Sequence, residues 1–163
     1  MSKQDYTATI WVEQNSHIVF EAAKNFRAWW SEEIEGDTEK LNEVFFYRYK
    51  DVHLCKMKLI KLVPDKELIY QIIDNQFSFT KDKSEWINTK LIFTISNERG
   101  KTKLLFTHQG LVPEYECCQI CYDAWGNYIK KSLFDLITIG KGNPNPKEGY
   151  GFNAEIVKKW KLK

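Results

Sequence analysis

Arginine is scarce in this 163-residue sequence. Arg27, Arg48 and Arg99 are the only three among 24 basic residues, which stand against 22 acidic ones. Bidentate grip on phosphate is therefore poorly equipped, and the near balance of charge lacks the basic excess of a nucleic-acid binder. No apolar run approaches the roughly 18 residues of a membrane span. The opening MSKQDYT is polar and shows no signal-peptide pattern, so a cytoplasmic location is expected. Four cysteines are too few and too oddly spaced for a disulfide framework, and they are expected as reduced thiols. Also missing are a GxSxG elbow, a Ser-His-Asp signature, a P-loop and a dinucleotide fingerprint. Internal repeats and a second domain leave no trace, and the length suits one domain able to bury a core without staples.

Aromatic residues are plentiful: 15 % of the chain, with six Trp and ten Phe. They suit a core and also the wall of an apolar ligand site. The organising stretch runs from Leu104 to Gly140. It opens as a strand with Leu104, Phe106 and His108 on one face and Lys103, Leu105, Thr107 and Gln109 on the other. After Gly110 and Pro113 it becomes one long helix. Cys121, Ala124, Trp125, Tyr128, Ile129, Leu133, Leu136 and Ile137 form its apolar side at helical spacing, and Gly140 is placed to cap it.

The chain before that stretch supplies a sheet. Residues 6–12 read as a strand, Asn15 or Ser16 as an N-cap, and residues 17–25 as a short helix. A second helical piece is expected over residues 26–33, broken at Gly36 and Asp37. The period then becomes two. Strands are expected over residues 44–50, with Phe45, Tyr47 and Tyr49 on one face, and over 53–63, 67–73, 86–96 and 102–108. Residues 74–85, including Phe77 and Phe79, read as a polar connection. Short turns favour an antiparallel meander with one buried face. The whole is an α+β domain over residues 1–142, with a linker-like C-terminal extension over 143–163.

Several blocks carry a family resemblance. They are NSHIVFEAAKNFRAWW with Trp29 and Trp30, then Ile34 and Gly36; Lys61 to Lys66; Glu85-Trp86-Ile87; and FTHQGLVPEYECCQICYDAW, followed by Tyr128, Leu133 and GKGNP. Together they resemble the START-like, or SRPBCC, superfamily, in the branch of activator of heat-shock-protein ATPase homologues (AHSA-like). The resemblance implies a helix-grip fold: a curved antiparallel sheet wraps a long C-terminal helix, with two short helices after the first strand. It further implies a cavity between sheet and helix that holds a small hydrophobic or amphipathic molecule. A few members of the superfamily are cyclases, dehydratases or hydrolases, and the cochaperone branch points instead to protein contacts.

The candidate ligand-binding residues are Tyr47, Phe93 and Phe106 from the sheet, His108, and Trp125, Tyr128, Ile129 and Ser132 from the helix. For the four helix residues, core packing and cavity lining stay equally open. His108 could hydrogen-bond a ligand or act as a general base. The favoured alternative is a histidine held by a backbone carbonyl near its strand end. Cys118-x-x-Cys121, with Cys117 and His108 near, could suggest a metal or redox pair; ordinary buried thiols are favoured. Glu116 suits the helix start, and Glu114 and Glu116 make a poor carboxylate dyad. No catalytic, metal or cofactor residue is assigned. The lack of a catalytic constellation favours binding over catalysis. The rivals are an enzyme of cyclase, dehydratase or hydrolase type and a cochaperone-like module, touching a chaperone or a second copy through Trp29–Trp30 or Phe77–Phe79. The expected ligand is neutral and mostly apolar, since Lys90, Lys103, Lys130 and Lys131 point away from the proposed cavity.

Overall fold

A computed structural model of the chain describes residues 6–49, 53–77, 87–110 and 118–144. Alternation decides its strands. In β1 (Tyr6–Val12) Ala8, Ile10 and Val12 are buried while Thr7, Thr9 and Trp11 face out, the two-residue period of a half-buried strand. Asn15 then caps α1 (Ser16–Lys24), its Oδ1 accepting from the Ile18 N–H at 2.9 Å. That bond satisfies one of the orphan donors at the helix start. Val19, Phe20 and Ala23 turn inward, and α2 (Phe26–Trp29) follows at once, burying Phe26 and Trp29.

The expected second helix is shorter than its apolar pattern suggested. The Ser31 hydroxyl accepts from the Glu33 N–H at 3.0 Å, a local bond that draws the backbone out of the helix. Arg27 donates from Nη2 to the carbonyls of Ile34 and Gly36 at 2.9 and 2.6 Å. Residues Ile34–Gly36 are thereby held extended as strand β2, with Ile34 opposite Tyr47. Gly36 ends a strand and does not break a helix.

Five longer strands follow: β3 (Val44–Tyr49), β4 (His53–Val63), β5 (Glu67–Phe77), β6 (Lys90–Glu98) and β7 (Lys101–Gln109). Among the described residues the seven strands form one antiparallel sheet in the order β1-β7-β6-β5-β4-β3-β2. This is the expected meander, closed by β1 beside β7. Phe45 and Tyr47 point in and Phe46 and Arg48 out, and Leu104, Phe106 and His108 are buried on β7. Two boundaries differ from expectation. Asp74–Phe77 continue β5, with Asp74 opposite Lys56 and Phe77 opposite His53; pairing with β4 overrides the weak strand propensity of Asp-Asn-Gln. β6 starts at Lys90, after a turn in which Asn88 has φ 70°. Asp51, Phe79, Trp86, Glu114, Glu116, Cys117 and the tail from residue 145 lie outside the described residues, as do the side chains of Tyr49, Phe77, Cys118 and Cys121.

The β4–β5 pairing shifts register twice, between Lys56 and Met57 and between Leu59 and Lys61. The extra residues are Ile73 on β5 and Ile60 on β4. Such bulges bend a strand and sharpen its twist. Tyr70 and Ile72 are buried, yet Asp74 is exposed and Asn75 is buried. In the same way Cys55, Met57 and Leu59 are buried, yet Lys61 is exposed.

The chain is helical from Cys118 to Ile139: α3 (Cys118–Asn127), a π-helical segment (Tyr128–Leu133) and α4 (Phe134–Ile139). A regular helix was expected, and the wider π turn is the correction. Trp125, Tyr128, Ile129, Ser132, Leu133 and Ile137 are buried, Ala124 and Leu136 are half-buried, and Lys130 and Lys131 are exposed. Gly140 ends the helix with φ 82°, the left-handed cap that glycine adopts without strain. Gly142 then passes so close to Ala28 that a Cβ there would collide with the Ala28 carbonyl oxygen. Among the described residues no helix is long and apolar enough to cross a membrane.

Candidate functional site

The sheet and the helix meet over an aromatic interior to which α2 and the Trp30 that follows it add Phe26, Trp29 and Trp30. All eight residues singled out from the sequence are there, none more than 3 % exposed. Trp30 stacks on Tyr47 with ring centroids 4.2 Å apart. It also touches Trp125 at 5.7 Å, Trp125 touches Phe106 at 4.7 Å, and Phe106 touches Phe93 at 5.1 Å. Offset and edge contacts at these distances add to area burial. Phe26 and Trp29 fill the space against Phe93. Trp29 and Trp30 are 0 and 1 % exposed, which corrects their candidacy as an exposed protein-contact surface.

The polar groups of this interior bind one another. The Ser132 hydroxyl donates to the Trp29 carbonyl at 2.7 Å and accepts from the Asn143 N–H at 2.8 Å. Tyr70 donates its hydroxyl to the Thr38 carbonyl at 2.7 Å. His108, 0 % exposed, lies 3.0 Å from Trp125 Nε1 through Nδ1 and 2.8 Å from Thr89 Oγ1 through Nε2. An indole N–H can only donate. Nδ1 must therefore be the acceptor, Nε2 carries the proton, and Thr89 Oγ1 receives it. The bracing expected from a backbone carbonyl comes instead from two side chains, Thr89 just ahead of β6 and Trp125 on α3. The neutral tautomer is dictated by the tryptophan.

A second feature lies at the β2–β5 side of the sheet: a cleft of about 510 Å³. One cross-strand ladder runs through it, Glu35 beside Phe46, Phe46 beside Lys56, and Lys56 beside Asp74. The adjacent ladder adds Arg48 and Leu54, and the Arg48 N–H donates to the Glu33 carbonyl at 3.2 Å. Tyr47, Cys55 and Asn75, at most 4 % exposed, complete the lining. Phe46 is 51 % exposed, and Lys56 Nζ sits 5.2 Å from its ring centroid, a cation–π contact. Among the described residues Glu33, Glu35 and Asp74 form no ion pair. Burial pushes the Cys55 thiol well above its ordinary range, with the Asp74 charge adding to the effect.

Of the residues singled out from the sequence, only Tyr47 belongs to this cleft. Phe46 and Arg48 fall on the outward face of their strand and Asp74 on an expected polar connection, while Lys56 carries no signal of its own. Their convergence depends on β2, on the β5 extension and on the Ile73 bulge, none of which shows as a periodic signal. Cys55 is a buried free thiol. Among the described residues no group of His, Cys, Asp and Glu is arranged to hold a metal; Cys117 and the side chains of Cys118 and Cys121 lie outside that description.

No protein-family model and no curated protein matches the chain. Solved structures do match. The Aha1 dimer from Colwellia psychrerythraea superposes with a TM-score of 0.68 at 20 % identity, covering 85 % of this chain and 99 % of that one. The fold is START-like, of the Aha1 kind. DynU16, a protein of the dynemicin biosynthetic locus, gives 0.64 at 12 % identity over 86 % of this chain and 49 % of its own. CalU16 from Micromonospora echinospora gives 0.58 at 10 % identity over 84 and 86 %. The START-like arrangement accounts for the short helices after β1 and for the long helix gripped by the sheet, and identities this low speak to the fold alone.

Proposed function

We propose that this chain is a small-molecule-binding domain that performs no chemistry of its own and that its ligand is amphipathic. The observation that carries the reading is the cleft. Its volume of about 510 Å³ falls among pockets that hold drug-sized molecules, and Phe46 offers it an exposed apolar face beside charged side chains. The aromatic interior supports the site. Tyr47 joins the two, since it borders the cleft and stacks on Trp30. Phe93, Phe106, His108, Trp125, Tyr128, Ile129 and Ser132 belong to the packed interior behind Tyr47 and do not line the cleft. Against catalysis stands His108, the side chain best suited to proton transfer near neutral pH: both its ring nitrogens are held by protein groups. In this reading the binding domain spans residues 1–142 and the extension begins where the Asn143 N–H meets Ser132.

Native mass spectrometry of protein purified gently from cells tests the proposal. A retained adduct of a few hundred daltons is expected, lost when organic solvent is added. A bare chain that also shows no thermal shift with amphipathic dyes would overturn the reading. The same spectrum counts subunits. The similar Aha1 structure is a dimer of that protein, so a second copy of this chain is the rival occupant of the Phe46 face. A dimer without adduct would favour that rival.

A further inference from the structure

The chemistry of the cleft narrows its ligand. Phe46 occupies the middle of a ladder with Glu35 one strand away on β2 and Lys56 one strand away on β4. Each step is about 4.8 Å, so the ladder from Glu35 to Asp74 spans roughly 14 Å. The exposed aromatic ring is thus flanked by a carboxylate on one side and an ammonium on the other. Leu54 and Arg48 continue the surface on the next ladder, and Glu33 lies beside Glu35. A purely anionic ligand would meet three carboxylates, and a purely cationic one would meet Arg48 and Lys56. A neutral apolar body would cover Phe46 and strip water from charged neighbours without replacing it, which is unfavourable.

We propose, resting on the binding function argued above, that the cleft takes an amphipathic zwitterion: an amino-acid-like head on a flat or long apolar body. The ammonium of the head meets Glu35, with Glu33 behind it. The head carboxylate meets Lys56. The apolar body lies along Phe46 and Leu54. This assignment replaces the neutral ligand expected for a cavity between sheet and helix, because Arg48 and Lys56 converge here while Lys130 and Lys131 face solvent elsewhere.

The test uses four fluorescent probes with one common body: dansyl-lysine as the zwitterion, dansylcadaverine as the amine, dansyl-aminohexanoate as the acid and N-butyl dansylamide as the neutral control. Titrating the full chain should rank dansyl-lysine tightest, and added salt should weaken it. Glu35→Gln should weaken dansyl-lysine and dansylcadaverine by about threefold to tenfold and leave dansyl-aminohexanoate unchanged. Lys56→Gln should weaken dansyl-lysine and dansyl-aminohexanoate by about as much and spare dansylcadaverine. Phe46→Ala should weaken all four. Glu35 is exposed and Lys56 half-exposed, and unchanged melting temperatures will show that these variants fold. If the neutral probe binds as tightly as dansyl-lysine and neither charge substitution matters, the zwitterion assignment is overturned while the binding reading stands. If none of the four binds, the cleft itself is rejected as the site.

Discussion

At the scale of the residue, His108 shows how a donor-only neighbour sets a protonation state. Trp125 Nε1 points at Nδ1, so the imidazole is fixed as the Nε2–H form, and nitrogen chemical shifts should report that tautomer. Trp125→Phe keeps an aromatic ring but leaves a buried acceptor without its donor, and the expected loss is about 1–3 kcal/mol. Trp125→Ala also opens a cavity, and about 3–5 kcal/mol is expected. Urea midpoints measure both. A Trp125→Phe value within about 0.5 kcal/mol of the parent would mean that the indole–imidazole bond carries little. Few of these details could be read from the sequence. The period of β7 put His108 indoors, but nothing in a one-dimensional pattern says which ring nitrogen meets which neighbour.

At the scale of the element, the end of the helix offers a contrast between two nearby glycines. Gly140 has φ 82° and open space where a Cβ would go, so Gly140→Ala meets only backbone strain, worth about 1 kcal/mol. A Cβ at Gly142 would strike the Ala28 carbonyl and also crowd the Ser132 carbonyl. Gly142→Ala should therefore cost more, about 1–3 kcal/mol, and should loosen the return of the chain to α2. Thermal melts of the two variants decide it; equal losses would show that the close approach is relieved without cost. The elements themselves were largely legible. β1 and β4 fall on their expected residues because apolar alternation is strong there. β2 and the end of β5 were hidden, since three residues show no period and Asp-Asn-Gln resembles a loop. The cleft was hidden with them, because it is assembled by register across four strands.

At the scale of the whole molecule, burial of ionisable groups ties stability to alkaline pH. Burial raises Cys55 well above 9.0, with Asp74 adding. Tyr70 is raised well above 10.0, first by burial and then by Glu39 and Asp37. Each group stays protonated in the folded chain at a pH where the unfolded chain has released the proton. The unfolded state then binds fewer protons, so stability falls as pH rises. The contribution is intact below the unfolded values and is lost on the way up to the folded ones. Urea midpoints should hold level to about pH 8.5 and then decline, with Cys55→Ala blunting the first part and Tyr70→Phe the later part. A midpoint that climbs between pH 9 and 11 would contradict the burial of both groups. The fold class was legible at this scale from strand count, short turns and one long amphipathic helix. Which apolar surface faces a ligand was not, because periodicity separates inside from outside and says nothing of what fills the inside.

The bulge at Ile73 has a bearing on how this chain can change. A pleated strand has two faces, so each residue inserted or removed reverses the parity of everything beyond it. Ile73 acts on β5 as a single-letter frameshift acts on a reading frame, and Ile60 does the same on β4. Ile73 is itself the inserted letter, so deleting it restores plain alternation: Asp74 stays opposite Lys56 and Ile72 opposite Met57, each on its present face. What the deletion removes is the bend and the added twist. The ladder at the far end of β5 should thus survive loss of Ile73, because facing there is set by pairing with β4, while the curvature beneath the cleft is set by the odd residue.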